Sequence, residues 1–248
     1  MADWHDPTYL GKLNPKVWSD IDDLDSISTR PDGELHRHTE KYIFESAAKH
    51  GDRLKTAIIC PPDIYGPGRG PGKTQSVYFP VFWDEIQKVG SPFYAGDGAN
   101  TRSWVHIEDL MTVYLKLVEA AVAGGEGAEW GREVDIAFYL ATNLLDLTTC
   151  QGYYFTSSQE ASQIDIARAV GKILKAHGRI DDAEPKQLPL DTVKAMLSEQ
   201  YRVEDIGAYM FAANSRTRAH RATKLFGYEP KGPRLWDTIE ADLLACLK

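Results

Sequence analysis

Residues 55–68 read KTAIICPPDIYGPG, and this stretch decides the fold. Leu54 to Cys60 is a short apolar run rich in β-formers, and Pro61-Pro62 stops it. That pattern predicts a buried strand followed by a loop. Pro61 removes a backbone donor and fixes the chain at the strand's end. The loop, DIYGPGRGPGK over residues 63–73, contains four glycines and two prolines. Within it Tyr65-Gly66-Pro67-Gly68 predicts a tight turn, which on residues alone is equally an ordinary surface turn.

Working outward, Pro31-Asp32 signals a helix start, and Ile43, Ala47 and Ala48 recur at helical spacing up to Gly51. Before it, the first thirty or so residues read as irregular, with DIDDLD at Asp20 to Asp25 as a solvated loop. Downstream, the periodicity predicts a helix over Ser76–Val89, a strand over Ser91–Asp97 and an extended piece over Ser103–His106. A helix follows through Val122, with Asp109 as its N-cap and Leu110, Val113, Leu117 and Ala121 on one face. Gly152–Phe155 predicts a strand. Helices follow from the Ser158–Glu160 region, over Asp191–Tyr201, over Thr217–Phe226 with Ser215 as cap, and over Leu235–Leu247. Strands alternating with helices make the chain α/β.

The chain has 248 residues, is 43% hydrophobic and carries a net charge of -8. Such a length buries a real core in one domain or two small ones. The acidic balance, with no basic run, argues against nucleic acid or an anionic membrane as partner. Cys60, Cys150 and Cys246 lie far apart with no CxxC spacing, which fits neither a disulfide framework nor a metal site. No basic segment followed by an apolar one opens the chain. The longest apolar stretch, Val134 to Leu147, is too short to span a bilayer at about 1.5 Å per helical residue. A soluble cytoplasmic protein is expected.

Three motifs in order carry a family resemblance. They are KTAIICPPDIYGPG at 55–68, Arg102-Ser-Trp-Val-His106-Ile-Glu-Asp109, and Asn214-Ser-Arg-Thr-Arg-Ala219 followed by Phe226-Gly-Tyr-Glu-Pro230. Together they resemble the extended short-chain dehydrogenases/reductases of the NAD-dependent epimerase/dehydratase type, nearest to an atypical fungal group, and the C-terminal part only. The resemblance implies a partial Rossmann-like parallel sheet lacking its N-terminal half, with a small mixed α/β substrate subdomain. The expected layout is a single truncated domain, with residues 31–75 as the remainder of the Rossmann part and 76–248 as mainly substrate-side. It implies NAD or NADP as cofactor and a small molecule with a carbonyl or hydroxyl as substrate. It also implies a homodimer built on the Pro31 to His50 helix.

The same resemblance assigns roles. The family uses Y-x-x-x-K on a helix, where the tyrosine supplies a proton and the lysine holds the nicotinamide ribose. Here Lys41 matches the lysine, and Arg37 occupies the tyrosine slot. An arginine stays protonated and is a poor general acid or base. His36 and His38 each point about 100° away from Arg37 around a helix. The alternative is simply a charged, solvent-facing helix. Pro61 and Ile64 would flank the nicotinamide, and Tyr65, Arg102 and His106 would face the substrate. Arg102 suits a carboxylate or phosphate through its planar fork, whereas the plain reading of His106 is a packed, hydrogen-bonded ring.

A strand with G-x-G-x-x-G at a helix N-terminus, which holds a pyrophosphate, is not found in the sequence. Gly66 to Lys73 is glycine-rich, but its prolines remove amide donors and no helix follows directly. The family's opening strands are therefore expected before Met1, so cofactor binding by this chain is expected to be weak or absent. Val134 to Gln151 interrupts a run that otherwise reads WGREGYYF. These 18 residues read as a translated intron, with a surface insertion or an extra strand as the alternatives. Three functions follow: an NAD(P)-dependent oxidoreductase or epimerase inactive as this chain, a non-catalytic cofactor-sensing or regulatory relative, or a truncated product with no function.

Overall fold

The structure, a computed structural model, describes residue 3 and residues 6–72, 74–131 and 151–247. The segment read as an insert falls, except for Gln151, outside the described residues. In chain order the first elements are β1 (Trp18–Ser19), α1 (Leu24–Ser28), α2 (Arg37–His50), β2 (Ile58–Cys60), β3 (Asp63–Tyr65), α3 (Tyr78–Val89), β4 (Phe93–Ala95), β5 (Thr101–His106) and α4 (Ile107–Val122). They are followed by β6 (Tyr153–Phe155), β7 (Gln159–Ser162), α5 (Gln163–Ala176), β8 (Lys186–Leu188), α6 (Leu190–Ala195) and α7 (Ser198–Tyr201). The last are α8 (Ile206–Phe211), β9 (Thr217–Arg218), α9 (His220–Phe226) and α10 (Leu235–Cys246).

The chain is α/β, with small sheets. Parallel pairs join β1 to β9, β2 to β6 and β4 to β8. In the order β3-β5-β7, the first pairing is parallel and the second antiparallel. Two apolar clusters fill the interior. One gathers Tyr78, Phe79, Phe82, Phe93 and Phe211 around Trp104, with ring centroids between 5.1 and 6.0 Å apart. The other packs Phe44, Val113 and Leu117 onto Tyr153–Phe155 and Ala222.

Several boundaries differ from the sequence expectation, each for a local reason. Helix α2 starts at Arg37 rather than Pro31, because His36 takes a left-handed conformation (φ 69°) just before it. Helix α4 is capped by His106, whose Nδ1 accepts from Glu108 N, so Asp109 is not the cap. Asp109 instead accepts from the amides of Lys231 and Gly232 at 2.8 and 2.9 Å, clamping the C-terminal segment. Gln159–Ser162 is a strand, and Ser162 caps the helix after it. The expected helix over Asp191–Tyr201 is broken by Leu197 at φ 67°. Ser215 is no cap: its backbone bridges β5, and Thr217–Arg218 pairs with β1 before the helix begins.

The acidic N-terminal stretch is the largest correction. Asp20 is fully buried, not solvated. Its two oxygens accept from the backbone amides of Phe155 (2.8 Å) and Arg221 (3.0 Å). The Arg221 side chain donates back to the carbonyls of Asp20 and Tyr153. One carboxylate thus ties β6, α9 and the N-terminal segment together. Asn214 does the same nearby. Its side chain accepts from the amides of Asn14 and Thr101 and donates to the carbonyls of Tyr9 and Lys12.

Asp20→Asn puts an amide NH2 against one of those two backbone donors. Leaving a buried donor unsatisfied costs about 1–3 kcal/mol. We expect the urea midpoint, followed by far-UV circular dichroism, to fall accordingly. An unchanged midpoint contradicts the proposed anchoring role.

Candidate functional site

A cavity of about 530 Å³ opens at the carboxyl end of β2. Ligands of α/β sheets bind outside the carboxyl ends of the strands. Its floor is Ala57 to Pro62, one wall is the face of α2 carrying Arg37, Glu40 and Ile43, and the back is Arg102, Tyr209 and Ser215. The two prolines after Cys60 explain the opening, since they withdraw backbone donors where the strand ends.

The structure distributes the expected site residues unevenly. Pro61, Arg102 and Arg37 line this cavity. Lys41, one position past Glu40, is not in its lining and donates to Asp32 at 2.8 Å. Ile64 and Tyr65 lie on β3, in register with Val105 and His106 of β5, and outside the cavity. The Tyr65 hydroxyl is occupied: it donates to Pro233 O at 2.7 Å and accepts from the Gln159 amide. Burial pushes it up to about 12. His106 is buried edge-on to Tyr65, at 5.2 Å between centroids, and Gly66 (φ 88°) passes so close that any side chain there would meet the ring.

Arg102 is held too. Its Nε and Nη2 form a fork onto Asp63 at 2.5 and 3.2 Å, and Nη1 donates to Tyr209 O at 2.6 Å. The pair is nearly buried, and the Asp63 carboxylate outweighs desolvation to hold the guanidinium well above its ordinary value. Arg102 is therefore a braced wall residue, each of its three nitrogens bonded to the protein.

Arg37 is unlike the rest. It is 4% exposed, so Arg37 itself faces inward, although His38, Thr39 and Tyr42 of the same helix are exposed. Its Nη2 donates to Ser28 O, and its Nη1 lies 3.8 Å from Glu40. Among the described residues, Nε and Nη1 have no hydrogen-bond partner. Glu40 accepts from the Tyr153 hydroxyl at 2.9 Å. Burial, with Cys60 and Glu40 adding, raises Tyr153 well above its ordinary value and keeps it neutral. Glu40, Cys60, Asp63 and Tyr153 were not singled out from sequence. The partners of Asp63 and Tyr153 are 39 and 113 positions away, and no local pattern marks them. Among the described residues, no group of His, Cys, Asp or Glu could hold a metal.

Comparison with known proteins agrees with this architecture. Residues 30–133 match the NAD dependent epimerase/dehydratase family. Across 231 residues the chain is 24% identical to oxidase ucsJ of Acremonium sp, covering 93% of this chain and 61% of that protein. In fold it is similar to the human epimerase family protein SDR39U1 (TM-score 0.51, 17% identity, 93% of this chain and 60% of that one). It is also similar to the dTDP-glucose 4,6-dehydratase rfbB of Bacillus anthracis str. Ames (TM-score 0.51, 11% identity, 95% and 57%). Residues 30–133 are thus similar to the NAD dependent epimerase/dehydratase family, and the fold is similar to that of the human epimerase family protein SDR39U1. The chain spans about three fifths of the length of the curated relative it matches (61%).

Arg102→Lys removes the fork and leaves Asp63 with at most one donor. Breaking a buried pair costs about 3–5 kcal/mol when a partner is lost outright, and a lysine retains part of that. The expected result is a melting temperature several degrees lower, by roughly 4–8 °C for each 1 kcal/mol in a small domain and less in a larger one. A variant that melts like the parent removes the bracing role.

Proposed function

We propose that the chain is an NAD(P)-dependent oxidoreductase- or epimerase-like protein that takes a small carbonyl or hydroxyl substrate in the cavity at the end of β2. One observation carries this reading: the cavity opens where Cys60-Pro61-Pro62 ends the strand, within the segment that matches the epimerase/dehydratase family. In this reading Pro61 flanks a nicotinamide and Arg102 shapes the substrate side of the cavity, whereas Lys41, Ile64, Tyr65 and His106, expected to share these roles, lie outside its lining.

The residues present do not fit a whole dinucleotide. Among the described residues no strand runs through a glycine-rich turn into a helix, so a pyrophosphate finds no cradle of amides. Lys41 is engaged by Asp32 outside the cavity, and Arg102 is engaged by Asp63. We therefore derive no hydride step here. The chain on its own binds NAD(P) weakly and turns over slowly or not at all. What its residues do is shape a pocket: the prolines give an apolar shelf, and the Arg102–Asp63 pair keeps the back wall in place.

A second reading is a non-catalytic, cofactor-sensing or regulatory relative. The buried Arg37 in the tyrosine slot favours it, because an arginine there takes the place of the family's proton donor. As partners the reading has a small molecule rather than nucleic acid or membrane, and a homodimer through α2, whose Tyr42 is 72% exposed. Among the described residues no helix is long and apolar enough to cross a membrane.

Titrating the purified chain with NADH and NADPH by fluorescence, across a panel of carbonyl compounds, tests this. The oxidoreductase reading expects weak nicotinamide binding that a carbonyl substrate strengthens. Tight binding without turnover on any carbonyl points to the sensor. Absence of any nicotinamide response removes the cofactor from this chain's function.

A further inference from the structure

We propose that Arg37 is an oxyanion-binding residue, which makes the cavity a site for a small ligand bearing a carboxylate or phosphate. The inference rests on the reading that this cavity is the substrate site and names the substrate's chemical class. The argument begins with burial. A guanidinium taken out of water is costly unless its N–H groups and its charge find partners. Arg37 is 4% exposed, yet Nε and Nη1 have no hydrogen-bond partner among the described residues.

The other charged groups of the cavity are already matched. Arg30 donates to Glu34. Arg102 is forked onto Asp63. Glu40 approaches Arg37 no closer than 3.8 Å, and its other oxygen accepts from Tyr153. The remaining contacts of the Arg37 guanidinium, Ser28 O and the Phe44 ring 6.0 Å from Cζ, are uncharged. His36, the last ionisable group of this wall, belongs to the same turn of chain and supplies no negative charge. Arg37 thus lines a cavity of about 530 Å³, and its counter-charge among the described residues, Glu40, stands 3.8 Å away, beyond hydrogen-bond reach. Cavities of that size hold small molecules.

An oxygen anion is the acceptor a guanidinium binds most strongly. Both orphaned nitrogens are shielded from solvent, so the ligand reaches them by a rotation of the guanidinium toward the cavity. Such a residue gives charge and direction but no proton, so it recognises a ligand rather than acting as an acid.

Calorimetric titration of the full chain with pyruvate, inorganic phosphate and acetone, without any nicotinamide, tests the proposal. We expect pyruvate or phosphate to bind and acetone not to, and the responding anion to identify the group. Arg37→Gln should weaken that binding about tenfold or more, with Arg37→Lys between the two. Arg234→Gln, which breaks an exposed pair with Asp237, should leave it unchanged. Should Arg37→Gln fail to fold, the Arg37 Nε–H resonance of the parent protein serves instead, and it should move as the anion is added. Equal binding of acetone, binding undiminished in Arg37→Gln, or an Arg37 resonance that stays put overturns the proposal. Anion binding with no nicotinamide response sinks the cofactor reading alone. A nicotinamide response without anion binding at Arg37 sinks this inference alone.

Discussion

The Arg102 guanidinium ties three parts of the chain together. Its own strand is β5, the Asp63 carboxylate lies on β3, and the Tyr209 carbonyl belongs to α8. Each bond is made away from water, where an unmatched charge is expensive and a matched one is locked in place. The back of the cavity can therefore keep its shape although the sheets around it are only two or three strands wide. The backbone of Ser215 adds to the same node by bonding to both Thr101 and Ser103.

A second level of organisation sits in front of it. Polar side chains, alongside the buried Leu10, Leu24 and Ile27, hold the N-terminal segment. Asp20 and Asn214 spend their side-chain oxygens on backbone amides, and Asn214 also donates to two carbonyls. Short strands with few ladder bonds leave many backbone groups to be satisfied, and these side chains do so. The apolar clusters on either side explain the bulk of the burial. The polar anchors set how the segments are registered against one another.

The sequence made some of this legible and hid the rest for definable reasons. Cys60-Pro61-Pro62 announces the end of β2, because proline acts locally. The helices α3 and α4 follow from their apolar spacing. Short strands such as β7 and β8 were missed: three or four residues are too few for an alternation to register. Asp20 was misread because an acidic run looks solvated until the two amides that bury one of its members are known. At the site, the family's helix motif drew attention to Arg37 through its spacing from Lys41. Its burial was not legible there, since that depends on Ser28 and on the floor of β2. Lys41 has the right spacing and still lies outside the cavity, next to Asp32.

The stretch from Leu197 to Asp205 carries a consequence for motion. Leu197, Arg202 and Asp205 all hold positive φ (67°, 55° and 54°) although none is glycine. Left-handed backbone costs a branched or long side chain roughly 1 kcal/mol or more at each position. Helix α8, whose Tyr209 carbonyl braces Arg102, begins immediately after the last of the three. The strain therefore sits at the start of α8, beside the pocket's rear wall, where it lowers the cost of opening that helix locally.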